Sequence, residues 1–253
     1  MGNIIQKVKL FALGLVAGFS SAALGIGGGV IMVPGLVMLI GYSMHLAVGT
    51  SLAAIVPIAF VGIGTHYYVA SENIKLVIAV FVMMGSIVGA LFGAKLASKL
   101  SSSVLQKLFA LLLVFTGLKF VKIFDIPTGT VSADVIYPLL IVLGLFAGSG
   151  SALFGIGGGV IMVPVLNLFF GLSMHEAVAT SLTVILPTTL AGALFHRKLA
   201  NIVKEALPYV IPTALVGAVL GAVFANSVPA ATLKSIFGIL LLACAVKMFL
   251  QKS

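Results

Sequence analysis

Gly25-Ile26-Gly27-Gly28-Gly29-Val30-Ile31-Met32-Val33-Pro34 decides the fold, because the chain spells it twice. Residues 155–164 read Gly155-Ile156-Gly157-Gly158-Gly159-Val160-Ile161-Met162-Val163-Pro164, identical at all ten positions and 130 residues downstream. Four glycines in five positions hold a helix poorly, each costing about 1 kcal/mol relative to alanine. Both copies lie in strongly apolar sequence, where a broken helix leaves amide and carbonyl groups that hydrocarbon cannot satisfy. Such a break persists at membrane depth only where protein or a water-filled cavity surrounds it. Matched interruptions in two halves of an apolar chain are the pattern of a secondary transporter's substrate site.

Composition agrees. Of 253 residues, 61% are hydrophobic and 8% charged, with mean hydropathy +1.31, against about 25% charged in a soluble domain. This is a multi-pass membrane protein whose partner is the lipid bilayer. The net charge of +9 does not indicate nucleic acid, because the lysines and the single arginine sit mainly between apolar segments, where they set topology. Cys244 stands alone and forms no intrachain disulfide. Lys7 and Lys9, an apolar run and the small residues Ser20 to Ala23 resemble a signal peptide. Gly144 to Gly159 repeats that run mid-chain, so the segment reads as a membrane element instead.

Working outward from the first motif, residues 8–24 form an apolar piece of about 25 Å if helical, and Val30 to Ile40 a shorter one. Met44 to about Gly64 makes a span with Pro57 inside it. Thr65 to Lys75 reads as a polar loop. Leu76 to Leu100 spans again, with Gly85, Gly89 and Gly93 forming a stripe that lets helices approach closely, and residues 104–121 span once more. The second half replays the first: Gly144, Gly148, Gly171, Ser173, Met174, His175, Ala177, Val178, Thr180, Ser181, Leu182, Pro187 and His196 all match residues 130 positions earlier. The expected fold is an all-α polytopic membrane bundle of two internal repeats, with discontinuous helices at the glycine motifs. Residues 1–124 form the first repeat, 125–134 a linker, and 135–253 the second.

The broken segment leaves two arrangements open. As two crossings or a re-entrant hairpin it makes the repeats inverted, with Lys7, Lys9, Lys95, Lys99, Lys107, Arg197, Lys198, Lys204, Lys247 and Lys252 in the cytoplasm. As a single crossing it makes them parallel, with Lys75, Lys119 and Lys122 replacing Lys95, Lys99 and Lys107. Either puts ten of the fourteen basic residues and both termini in the cytoplasm, so the positive-inside rule does not choose. Short paired half-segments favour inversion.

Where a helix restarts after three glycines, its first N–H groups lack partners and carry partial positive charge. Gly27, Gly28, Gly29 and Val30, with Gly157, Gly158, Gly159 and Val160, therefore form a candidate anion site without a charged side chain. Close helix packing is the competing use of these glycines. Thr50, Ser51, Thr180 and Ser181 supply hydroxyls that either donate to an anion or bond their own helix. Pro57 and Pro187 follow the threonines by seven residues, on the same helix face. Each frees the carbonyl four residues before it, at Ala53 or Thr183. With Gly25, Pro34, Gly155 and Pro164, these prolines are the candidate hinge points.

His45 and His175 are candidates for pH sensing or coupling, and Glu176, whose counterpart is Leu46, for proton coupling. His66 and His196 read as segment-end residues, in interfacial water or capping a helix. Together the four histidines give an alternative reading as a transition-metal carrier. The five acidic residues, Glu72, Asp125, Asp134, Glu176 and Glu205, lie mostly in apparent loops. A cation carrier normally needs carboxylates within the membrane, so an anionic or neutral substrate is expected, with no bound metal or cofactor. No nucleophile, base and orienting group occur together, which argues against an enzyme.

With both glycine motifs, Ala47-Val48-Gly49-Thr50-Ser51 and Ala177-Val178-Ala179-Thr180-Ser181 in hand, the whole chain resembles the TauE/SafE family of sulfite exporter-like permeases. The resemblance implies a secondary transporter of the cytoplasmic membrane that moves a small sulfur-containing anion, such as sulfite or an organosulfonate, often outward.

Overall fold

The computed structural model describes residues 4–120 and 133–250. The expected linker at 125–134 lies almost wholly outside the described residues. All regular structure described is helical: α1 (Ile4–Leu24), α2 (Gly29–Gly35), α3 (Met44–Ala70), α4 (Leu76–Ala97), α5 (Ser102–Phe120), α6 (Ala133–Phe154), α7 (Gly159–Phe169), α8 (Met174–Lys198), α9 (Leu207–Ser227) and α10 (Ala230–Leu250). Six helices, α1, α3, α4, α6, α8 and α9, are long and apolar enough to cross a membrane. Their outward faces carry exposed Leu76, Val80, Phe92, Phe146, Val216 and Leu220, while Thr50, Ser51, Thr180, Ser181, His66 and His196 are buried. Polar side chains inside and apolar ones outside is the distribution lipid imposes.

Both expected helix breaks are present. α1 stops at Leu24 and α2 starts at Gly29; α6 stops at Phe154 and α7 starts at Gly159. Gly28 and Gly158, at φ +76° and +85°, make the restart turns in left-handed backbone that L side chains rarely adopt. α2 passes directly into a π-helical turn, Leu36–Ile40. It runs back along α1: Gly35 lies against Leu13, and Lys9 Nζ donates to the Leu39 carbonyl at 3.3 Å. The pair is thus an antiparallel hairpin whose apex is the glycine turn.

The long helices are joined by close backbone approach. Gly85, Gly89 and Gly93 of α4 press against the Ile141, Leu145 and Ser149 carbonyls of α6, and Gly14 and Gly18 of α1 against those of Val210 and Ala214 in α9. A Cβ at any of these positions would collide with backbone. The glycine stripe read from the sequence is therefore a packing seam. α3 and α8 pack on each other between these two pairs.

Several boundaries differ from the sequence reading. Thr65 to Ala70 is the last part of α3, not loop, because Thr65 returns its hydroxyl to the Val61 carbonyl (2.9 Å) and the chain stays helical despite polar residues. His196, Arg197 and Lys198 close α8 rather than forming a loop. Basic residues in a last helical turn face the negative end of its dipole, a favourable placement.

Candidate functional site

The two glycine turns lie against each other. A Cβ on Gly29 would strike the Gly155 carbonyl, and one on Gly159 the Gly25 carbonyl; one on Gly27 would sit 3.2 Å from the Gly157 Cα. All of residues 25–30 and 155–160 are buried. Among the described residues, the first amides with a backbone acceptor after each break belong to Ile31 and Met32, on Gly28 O, and to Ile161 and Met162, on Gly158 O. The N–H groups of Gly28, Gly29 and Val30, and of their counterparts, have no backbone acceptor there. The turns thus present uncommitted donors in a closed interior that holds no Lys, Arg, Asp or Glu among the described buried residues.

The hydroxyls singled out in the sequence are built into the seam between the two halves. Ser51 Oγ donates to the Gly155 carbonyl at 2.8 Å, and Ser181 Oγ to the Gly25 carbonyl at 2.7 Å. Thr50 Oγ1 accepts the Val203 N–H at 2.9 Å, while Thr180 Oγ1 accepts the Lys75 N–H at 3.0 Å. Each serine therefore fixes the turn of the opposite half, and each threonine caps the chain entering α9 or α4. Pro57 and Pro187 lie within α3 and α8, and Pro34 and Pro164 within α2 and α7, without ending these helices.

The histidines take structural partners. His66 and His196, expected at segment ends either in interfacial water or capping a helix, are 2% and 0% exposed, which leaves the capping role. His66 Nε2 donates to the Ala22 carbonyl at 2.9 Å and its Nδ1 accepts from Asn226 Nδ2 at 3.1 Å. His196 Nε2 donates to Ala152 O at 3.0 Å, with Asn201 Nδ2 on its Nδ1 at 3.3 Å. The helix ends before the two breaks need these donors, and the amphipathic ring reaches them from inside the bundle. His45 Nε2 donates to the Ala97 and Leu100 carbonyls at the end of α4, and His175 Nε2 to Val228 O at the end of α9. Both ring nitrogens of His66 and His196 are occupied, and the described residues contain no group of three His, Cys, Asp or Glu suited to a metal. The alternative reading as a metal carrier finds no ligand set here.

Glu176 closes a capping box with Ser173 at the start of α8 and pairs with Lys75 Nζ at 2.7 Å. Ser21 and Ser151, which sequence reasoning passed over as small residues of a helix, are both 0% exposed, and their hydroxyls have no hydrogen-bond partner among the described residues. The signal was available: they match at the same 130-residue spacing, four residues before Gly25 and Gly155. Among the described residues, hollows flank the core at two of its sides. One, of about 750 Å³, is apolar and lies among α4, α5, α6 and α7. The other, of about 430 Å³, lies among α3, α8 and α9 beside Pro57, with Arg197 and Lys204 in its wall.

Residues 2–120 and 140–253 match the family described as Sulfite exporter TauE/SafE. The chain is 31% identical over 198 residues to the probable membrane transporter protein MJ0441 of Methanocaldococcus jannaschii, covering 76% of this chain and 72% of that one. It is 26% identical over 218 residues to the probable membrane transporter protein YunE of Bacillus subtilis (75% and 77% covered) and 31% identical over 192 residues to YdhB of the same organism (73% and 75% covered). No solved structure matches the chain.

Proposed function

This chain belongs to the sulfite exporter TauE/SafE family of membrane transporters, and from that premise we propose that it exports a small sulfur-containing anion across the cytoplasmic membrane. The observation that carries the proposal is the pair of buried glycine turns whose N–H groups after Gly27 and Gly157 have no backbone acceptor among the described residues. Oriented amides at helix restarts bind oxyanions without a fixed cation, and neutral donors release their ligand more readily than a buried Lys or Arg. In the closed arrangement the turns are shut against each other. Substrate access then requires the two hairpins to part, breaking the Ser51–Gly155 and Ser181–Gly25 bonds.

Inverted repeats suit this mechanism, and two contacts support them. The α1–α2 hairpin returns to the side on which it began. His45, at the start of α3, reaches the end of α4, so these two helices cross in opposite directions. With α5 taken as a third crossing, the odd number of crossings starts the second half on the opposite side. Arg197 and Lys204 then lie on the cytoplasmic side, and the hollow they line is the candidate approach for an outgoing anion.

The test is a thermal-shift screen of the purified chain against sulfite, thiosulfate, sulfate, taurine and sulfoacetate, since a ligand that binds the folded state raises its apparent stability. A sulfur anion should stabilise the protein in a saturable way, and Gly28→Val with Gly158→Val should abolish both that shift and flux while the protein still inserts. Wild-type flux in the double variant would overturn the site.

A further inference from the structure

We propose that Ser21 and Ser151 are substrate-binding residues, their hydroxyls donating to the oxyanion held at the glycine turns. The inference rests on the anion-transport reading above and identifies side chains it does not name. A hydroxyl buried in a membrane helix ordinarily bonds a carbonyl one turn back. Ser20 does so, with Val16 O at 2.9 Å, as do Thr183, Thr188 and Thr189 with Ala179, Val184 and Ile185. Ser21 and Ser151 do not, although both are fully buried. An unpaired buried polar group destabilises a protein by about 1–3 kcal/mol. Here the same omission is made twice, at positions 130 residues apart that bear the same relation to a helix break.

That relation is specific. The Ser21 carbonyl accepts the Gly25 N–H at 2.9 Å and the Ser151 carbonyl the Gly155 N–H at 2.8 Å, so each serine sits in the last turn before the chain reverses. The reversal brings Gly28 back over the Ser21 side chain, since a Cβ at Gly28 would stand 3.2 Å from that of Ser21. The free hydroxyl thus lies at the turn that carries the uncommitted N–H groups of Gly28, Gly29 and Val30. Ser51 and Ser181 have already given their hydroxyl protons to the opposite half, and the oxygens of Thr50 and Thr180 already accept from it. Ser21 and Ser151 keep their full donor capacity. Amide and hydroxyl donors with no charged partner match a small, compact oxyanion such as sulfite.

The experiment compares wild type, Ser21→Ala, Ser151→Ala, the double variant and the control Ser20→Ala, each as the full chain in detergent and in proteoliposomes. The ligand-free melting temperature of the Ser21 and Ser151 variants should stay level or rise, because an unsatisfied hydroxyl has been removed. Their apparent affinity for sulfite, read from the thermal shift and from flux, should fall at least tenfold, with Ser20→Ala unchanged. A double variant with wild-type affinity would overturn the assignment alone. A ligand-free destabilisation as large as that of Ser51→Ala would also overturn it, by giving the hydroxyl a structural partner. A wild-type protein that responds to no sulfur anion would instead remove the transport reading, and this assignment with it.

Discussion

Ser51 of one half donates to the carbonyl of Gly155 in the other at 2.8 Å, 104 residues away in sequence and fully buried. Ser181 and Gly25 repeat the bond in reverse at 2.7 Å. Removing either donor strands a buried carbonyl, which costs about 1–3 kcal/mol. Ser51→Ala and Ser181→Ala should each lower the melting temperature in detergent, and the double variant should loosen the contact between the two turns. Threonine at the same positions keeps the hydroxyl and should recover most of the loss. Unchanged melting in both alanine variants would show that these bonds do not hold the turns.

Glycines of this chain should separate into two groups under substitution. Gly29→Ala and Gly159→Ala push a methyl group into the opposing carbonyl; overpacking of that kind costs about 1–3 kcal/mol or more. Gly64, inside α3, has nothing within 4 Å of where its Cβ would lie. Gly64→Ala should therefore be neutral, or stabilise by up to about 1 kcal/mol through helix propensity. Parallel melting curves of the three variants check the contrast. Equal effects would mean that propensity, not close approach, governs the glycine motifs.

How much of this was legible in the sequence follows from which interactions are local. The helix breaks were, because four glycines in five positions are a local fact, and so was the close-packing stripe Gly85, Gly89, Gly93. The partners of Thr50 and Ser51 were not: a hydroxyl reads alike whether it meets a ligand, its own helix or, as here, the Val203 N–H and the Gly155 carbonyl. For His66 and His196 the sequence left interfacial water and a helix cap both open, for a related reason. Polar neighbours such as Arg197 mark a helix end, yet the ring beside them turns inward to a carbonyl 44 residues away. Ser21 and Ser151 were overlooked because an unsatisfied hydroxyl is recognised only once every neighbour is in place.

Those histidines yield a third prediction. His66 and His196 each hold a carbonyl at the end of the helix before a break, and each is fixed in turn by an asparagine. His66→Ala and His196→Ala should destabilise by about 1–3 kcal/mol, each leaving a buried carbonyl without its donor. Asn226→Ala and Asn201→Ala should act in the same direction but more weakly. Zinc or nickel should give wild type no thermal stabilisation, since both ring nitrogens are already bonded. A metal-dependent shift lost on His66→Ala would reverse this.

The last prediction concerns an asymmetry between the two halves. Lys75 and Glu176 form a 2.7 Å ion pair, whereas the matching positions hold Val203, whose N–H caps Thr50 as that of Lys75 caps Thr180, and Leu46. The pair ties the entry to α4 to the start of α8 at one end of the bundle only. Its side chains are 41% and 25% exposed, so it contributes only about 0–1 kcal/mol to global stability, and less at high salt. A latch need not be strong to bias which end opens, because small differences between two conformations set their populations. Glu176→Gln should leave the melting temperature nearly unchanged yet raise the labelling rate of a cysteine placed at Asn73, in a Cys244→Ala background. A cysteine at Asn201, the corresponding place at the other end, should not respond. Equal acceleration at both positions would mean that Glu176 stabilises the whole bundle rather than one end of it.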